Sequence, residues 1–200
     1  YGIKNIITTP HVLGDIYPNT PEIIKRALKE VRTALLERNI TDITIDAAAE
    51  YMLDEQFSAI LEKDKLLTLK DNYVLVEMSY FNAPINLYEL LFEIQLKGYK
   101  PVLAHPERYN FYHHDMKQYY KLKTAGCLFQ LNLLSLTEHY GKQVQKTAEK
   151  LLKENMYDLS IDSYDHTYYT NGILSHNTTL LTMSWIVLTN TSLSFIRHSQ

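Results

Sequence analysis

Cysteine is almost absent from this sequence: Cys127 stands alone. A single thiol excludes a disulfide framework and a cysteine-rich zinc site, and it suits a reducing, cytoplasmic compartment. It also excludes a cysteine-dependent phosphatase, which needs Cys-x5-Arg, because six residues after Cys127 stands Leu133. Positive charge is scarce too. The 20 Lys and Arg are outnumbered by 23 Asp and Glu, for a net charge of -3, which argues against a nucleic-acid binder. Long apolar runs are missing as well. A membrane span needs about 20 mostly apolar residues, and the best window, 180–196, is interrupted by seven Thr, Ser and Asn residues. No glycine-rich nucleotide loop of the G-x-G-x-x-G or G-x-x-x-x-G-K-S/T kind occurs, so a nucleotide-binding open sheet loses its main support. The opening "YGIKNIITTPH" has no apolar core of signal-peptide length and no initiator Met, so the chain reads as a fragment. Charge of either sign vanishes between Thr167 and Ile196. Residues 1–166 are therefore expected to form one domain, and 167–200 a separate tail of unassigned role. Asn177-Thr-Thr and Asn190-Thr-Ser match glycosylation acceptors, but no secretory context accompanies them.

What is present is a regular alternation. Residues 3–8 read as a strand. Thr20-Pro21-Glu22 marks a helix start, with Thr as the cap and Pro at the first helical position. Ile23, Ile24, Ala27, Leu28, Val31 and Leu35 then recur at helical spacing. "ITIDAAAEY" is extended, "DEQFSAILEKDK" helical, "YVLVEMSY" a strand, and "NLYELLFEIQLKG" a helix stopped at Gly98. "KPVLAH" is a strand, "DMKQYYKLKTAG" a helix, "CLFQLNLL" a strand, "KQVQKTAEKLLKEN" a helix, and "YDLSI" begins another strand. Six strands separated by helices predict a mostly parallel sheet with crossover helices, closed as a barrel or left open.

In such folds functional groups gather where the strands end. The first strand runs into His11, the second into Glu50, the third carries Glu77, and the fourth ends in His105. Each has an ordinary reading. His11 can cap a loop, Glu50 can sit on the surface, and His105 can be a satisfied core histidine at the head of a polar turn. Glu77 resists dismissal, because it stands between Val76 and Met78, and a buried carboxylate is costly unless paired or metal-bound. Two imidazoles and two carboxylates on four successive strands point to a metal site. A carboxylate-rich set leans toward Mn over Zn, with Fe and Mg as other candidates. A metal cluster suits phosphoryl chemistry, since it binds phosphate, activates water and offsets charge on the leaving oxygen. Arg108 follows in "AHPER", where a guanidinium can fork onto two phosphate oxygens. Its ordinary reading is a surface Arg paired with Glu107.

The stretches "IITTPH", "NTPEII", "AAAEYMLDE", "NYVLVEMS", "GYKPVLAHPERY" and "LFQLNLLSL" through "YGKQVQKTAEKLL" resemble the CpsB/CapC (YwqE-type) family of bacterial protein-tyrosine phosphatases, within the PHP superfamily. The resemblance runs collinearly from about residue 1 to about 159. It implies an α/β fold, a distorted (β/α)7 PHP barrel, with a di- or trinuclear, usually manganese, centre. It implies hydrolysis of phosphotyrosine on an autophosphorylating bacterial tyrosine kinase that controls capsule or exopolysaccharide synthesis. By motif, His11, Glu50, Glu77 and His105 would be metal ligands, Glu77 bridging, and Arg108 would hold the substrate phosphate. Two departures stand out. The family's first strand, with an H-x-H motif, has no counterpart here, so the barrel is expected to be incomplete. The family's late Asp-x-His motif is scrambled in Ser160-Ile-Asp-Ser-Tyr-Asp-His166, where Asp162 or Asp165, with His166, would stand in. With so many ligands displaced, the chain alone is expected to be a weak or inactive catalyst, prone to self-association through an open strand edge. The tail segment "LLTMSWIVLT" is β-branched enough to cover that edge as a strand. The alternatives are a PHP phosphoesterase acting on a small phosphate monoester, and a non-catalytic truncated barrel.

Overall fold

A computed structural model describes residues 4–14, 16–156, 159–161, 174–177, 184–189 and 193–195. The expected alternation is present. In chain order the elements are β1 (Asn5–Val12), α1 (Pro21–Glu37), β2 (Thr44–Ala47), β3 (Glu50–Met52), α2 (Phe57–Lys63), β4 (Tyr73–Glu77), α3 (Leu87–Leu96), β5 (Lys100–Ala104), α4 (Met116–Thr124), β6 (Leu128–Gln130), α5 (Lys142–Lys153), β7 (Leu159–Ile161), β8 (Leu174–Asn177), β9 (Ser184–Thr189) and β10 (Leu193–Phe195). Helix α1 starts where its capping sequence predicts: Thr20 Oγ1 accepts from the Ile23 N–H at 3.3 Å, and Pro21 opens the first turn.

Strands β1 to β6 form a parallel sheet. The second predicted strand is split. One register runs along β1 from Asn5 opposite Thr44 to Val12 opposite Tyr51, and strand geometry lapses only at Ala48 and Ala49. Strand β1 is longer than expected and carries His11 within it. The sheet order is β6-β5-β4-β3-β1-β9-β8, with β2 also on β1, so among the described residues the sheet is open and the barrel unclosed. The tail does supply a strand: β9 lies antiparallel along the other edge of β1, from Asn5 opposite Thr189 to Pro10 opposite Ser184. The sixth predicted strand departs from expectation. β7 pairs with β10 in a separate two-stranded sheet and does not extend the main sheet. Length is not the reason, since β3 and β6 are equally short and join the main sheet. β7 is instead taken up by an antiparallel partner from the tail, from Leu159 opposite Phe195 to Ile161 opposite Leu193.

Strands β4 and β5 are buried on both faces, as near-continuous apolar runs predict. Side chains alternate between the faces. Val74, Val76, Leu103 and Phe129 pack with Ile94, Leu122 and Leu151 of the covering helices. On the opposite face a smaller cluster contains Ala48, Leu75, Val102 and Ala104, with Ile7 against it. This small apolar floor positions the functional residues.

Candidate metal centre

On the floor side of the sheet, counting by twos gives the site. Ile7 leads through Thr9 to His11, Ala48 leads to Glu50, and Leu75 leads to Glu77. The pleat alone therefore brings three donors to one face at the ends of three adjacent strands. β5 cannot supply its donor this way. His105 follows Ala104, and by alternation it would join Leu103 on the helix-covered face. Its backbone instead turns left-handed, at φ 37° and ψ 54°. That conformation, costing roughly 1–3 kcal/mol for a non-glycine residue, swings the imidazole back to the floor side. The turn is held by the His105 N–H donating to the Gln130 carbonyl at 2.8 Å and by the Arg108 N–H donating to the His105 carbonyl at 2.9 Å.

The four side chains meet. His11 Nδ1 lies 2.5 Å from Glu77 Oε1 and 3.8 Å from Glu50 Oε2. His105 Nε2 lies 3.1 Å from Glu50 Oε1 and 3.6 Å from Glu77 Oε2. All four residues are buried. One ligand atom each from His11, Glu50 and Glu77 fall within 4.8 Å of one another, close enough for a single ion. Burial, and then the negative charge of Glu77, push the Glu50 carboxyl well above its ordinary range. Burial also raises Glu77, but contacts with His105 and His11 outweigh it and bring the group down to about 2. Burial lowers His105 to about 4, against the pull of Glu77 and with help from the Arg108 charge. Glu50 Oε2 has no hydrogen-bond partner among the described residues. Two adjacent buried carboxylates with an orphaned oxygen, faced by two imidazoles, fit a divalent cation: it would neutralise the repulsion and use the lone pair.

Arg108 opens onto the same cavity, of about 810 Å³, as His11 and Glu77. Its guanidinium lies over two aromatic rings, 5.0 Å from the centroid of Tyr80 and 4.3 Å from that of Tyr140. Tyr80 also stacks on His105, with centroids 5.6 Å apart and planes 20° from parallel. The surface pairing of Arg108 with Glu107 is not what forms. Glu107 is fully buried, its Oε1 accepting from Ser135 Oγ at 2.6 Å and from the Asn132 N–H at 3.2 Å. Its carbonyl lies 2.7 Å from His113 Nε2. Burial raises the Glu107 carboxyl to about 7, with those hydrogen bonds pulling the other way. The turn thus anchors one side chain beneath the sheet and delivers its neighbour to the cavity.

Of the residues singled out from sequence, His11, Glu77 and Arg108 line one cavity, and Glu50 and His105 lie buried in contact with His11 and Glu77 behind it. Asp162, Asp165 and His166 lie outside the described residues. Tyr80, Tyr140 and the buried role of Glu107 were missed. Tyr80 had a signal, an aromatic three residues beyond Glu77 at a strand end, whereas Tyr140 is brought in only by tertiary structure.

Comparison with known proteins follows the same lines. Residues 1–170 match a family model described as capsular polysaccharide synthesis, CpsB/CapC. The tyrosine-protein phosphatase YwqE of Bacillus subtilis is 31% identical over 156 residues, covering 78% of this chain and 61% of that protein. The tyrosine-protein phosphatase CpsB of Streptococcus pneumoniae is 29% identical over 161 residues, covering 78% of this chain and 66% of that protein. The chain thus spans less than two thirds of either relative. Crystal structures of these two proteins, described as unique metal-dependent tyrosine phosphatases, include a chain that superposes with a TM-score of 0.72 at 30% identity, covering 86% of this chain and 69% of that one. Among the described residues no helix is long and apolar enough to cross a membrane.

Proposed function

Because this chain belongs to the CpsB/CapC family of capsular polysaccharide synthesis proteins, we propose that its fold performs metal-dependent hydrolysis of phosphotyrosine. The substrate is a tyrosine-phosphorylated bacterial kinase that controls capsule or exopolysaccharide assembly, and the reaction belongs in the cytoplasm. The observation that carries the reading is the convergence of His11, Glu50, Glu77 and His105 beside the cavity that Arg108 lines.

His11, Glu50, Glu77 and His105 would hold the metal, with Asp162 or Asp165 and His166 completing the set. The carboxylate share of the donors favours manganese. A bound divalent ion supplies an acidified water and offsets charge on the phosphoryl oxygens. The chain's own contribution is positional. Arg108 donates a planar pair of N–H groups to two phosphate oxygens. Tyr80 and Tyr140 both pack against the guanidinium, so less of its order has to be supplied when substrate arrives. Glu107 fixes the turn from behind. A tyrosine oxygen leaves as a phenolate, whose conjugate acid has a pKa near about 10, so it departs with less help from a proton donor than a serine alkoxide needs.

The test is to express a full-length version and this chain, strip both with chelator, restore manganese, and assay a phosphotyrosine peptide against histidinol phosphate. Full-length turnover that falls on stripping, returns with manganese and prefers the peptide supports the reading. Turnover indifferent to chelation, or a preference for the small monoester, sinks it.

A further inference from the structure

The lining of the 810 Å³ cavity includes, besides His11, Glu77 and Arg108, several exposed apolar side chains. Ile16, on the loop after β1, is 69% exposed. Phe81 and Ile85, on the loop between β4 and α3, are 91% and 105% exposed. Single exposed apolar residues are ordinary and need no special account. These three come from two separate loops and border one cavity, the one that His11, Glu77 and Arg108 also line. Across the same cavity stand Asp54 and Glu55, which disfavour an acidic neighbour.

A phosphate monoester small enough to rest against Arg108 would leave these three side chains untouched. A polypeptide could not avoid them. An extended chain advances about 3.3 Å per residue, so the residues next to a phosphotyrosine whose phosphate reaches Arg108 pass along the same cavity. We infer that Ile16, Phe81 and Ile85 form a docking rim that selects phosphotyrosine segments flanked by apolar side chains over those flanked by acidic or small polar ones. This rests on the phosphotyrosine reading above and adds to it the chemistry of the substrate's neighbouring residues. Phe81 and Ile85 are carried on the strand-to-helix loop that also presents Tyr80, so flank recognition and a ring packed on Arg108 share one short segment.

The test is a cycle on binding, independent of how fast the chain turns over. The full chain with manganese is titrated with three labelled peptides bearing a non-hydrolysable phosphonate analogue of phosphotyrosine, flanked by isoleucines, by serines or by glutamates. The same titrations are made with the double variant Phe81→Ser and Ile85→Ser. The expected result is that the wild type binds the isoleucine-flanked peptide about tenfold more tightly than the serine-flanked one, and the glutamate-flanked peptide least. The variant loses the preference for isoleucine while binding the serine-flanked peptide as the wild type does, which also shows that it is folded. Equal wild-type binding of the isoleucine and serine peptides, or a variant that weakens both by one factor, overturns the rim alone. A wild type that binds none of the three overturns both the rim and the reading beneath it.

Discussion

Two buried acidic regions lie close together in the fold and solve the same problem differently. Glu107 is buried with Ser135 and Asn132 donating to its carboxylate, on a turn that packing has closed. Glu50 and Glu77 are buried facing each other and two imidazoles, with one Glu50 oxygen lacking a hydrogen bond among the described residues. Among the described residues Glu107 Oε2, like Glu50 Oε2, has no hydrogen bond, but Glu107 faces only neutral donors and no second carboxylate. The second region brings together groups that could hold a metal ion. Burial of an acid, even with one oxygen unpaired, is thus no sign of function by itself; what distinguishes the two is that Glu50 is buried against a second carboxylate and two imidazoles and Glu107 is not.

The largest effect should come from removing a donor of the second region. In a metal-loaded, full-length protein, His105→Ala is expected to cut turnover by more than the about 10–100-fold typical of losing an outer partner of a metal ligand. Metal content should fall while the circular dichroism spectrum stays native. Full turnover with retained metal would erase the distinction between the regions.

The next effect is on stability against pH in the metal-stripped chain. His105 titrates near 4 in the fold against an ordinary 6.5, so its contribution is present above pH 6.5 and is lost as pH falls toward 4. Glu107 titrates near 7 against an ordinary 4.5, so its contribution is present below pH 4.5 and is lost as pH rises toward 7. Each is worth about 3 kcal/mol across its window, and they oppose each other. Denaturant melts between pH 4.5 and 7 should show His105→Gln gaining stability on acidification relative to the wild type, and Glu107→Gln losing it. Parallel curves for all three proteins would mean that the two regions are not electrostatically distinct.

Smaller again is Arg108→Lys, which keeps the charge and loses the planar fork. Loss of one charge-assisted hydrogen bond, about 1.5–3 kcal/mol, predicts roughly ten- to a hundredfold weaker phosphate binding. An unchanged Michaelis constant and turnover would remove Arg108 from the site. The smallest effect sharpens the comparison most. Glu50→Gln should leave metal-stripped stability within about 1 kcal/mol, because burial and Glu77 already favour the neutral acid there. The same variant should abolish tight manganese binding by calorimetry. A large loss of stability would place Glu50 in the same class as Glu107.

What the sequence made legible follows from simple periods. Apolar runs ending in a polar residue exposed β1, β3, β4 and β5 and the four buried side chains that meet there, since a charged group is rarely tolerated in such a run without a partner or an ion. The lengths and partners of strands were less visible. The first strand was expected over residues 3–8, running into His11 at its end, yet β1 continues to Val12 and carries His11 within it. Leu159–Ile161 had the composition of a sheet strand, but pairing partners are chosen by tertiary structure, and it joined β10. The direction of Glu107 was hidden for a similar reason. Two adjacent charged residues in a tight turn face different ways, and only the packing of Ser135 and Asn132, 28 and 25 residues on, decides which is inward. The ring of Tyr140 reaches Arg108 across a comparable separation.

The left-handed backbone at His105 makes this position separable into two parts. One is a chain path that any residue but glycine adopts at a cost, and the other is an imidazole. A glycine there would keep the path and relax it, leaving behind a void with the outline of the missing ring. Imidazole dissolved in the buffer could then occupy that void and restore the donor without a covalent link to the chain. At His11, by contrast, the donor projects from a paired strand, where glycine would weaken the strand that carries it. Complementation from solution should therefore succeed at one histidine of the cluster and fail at the other.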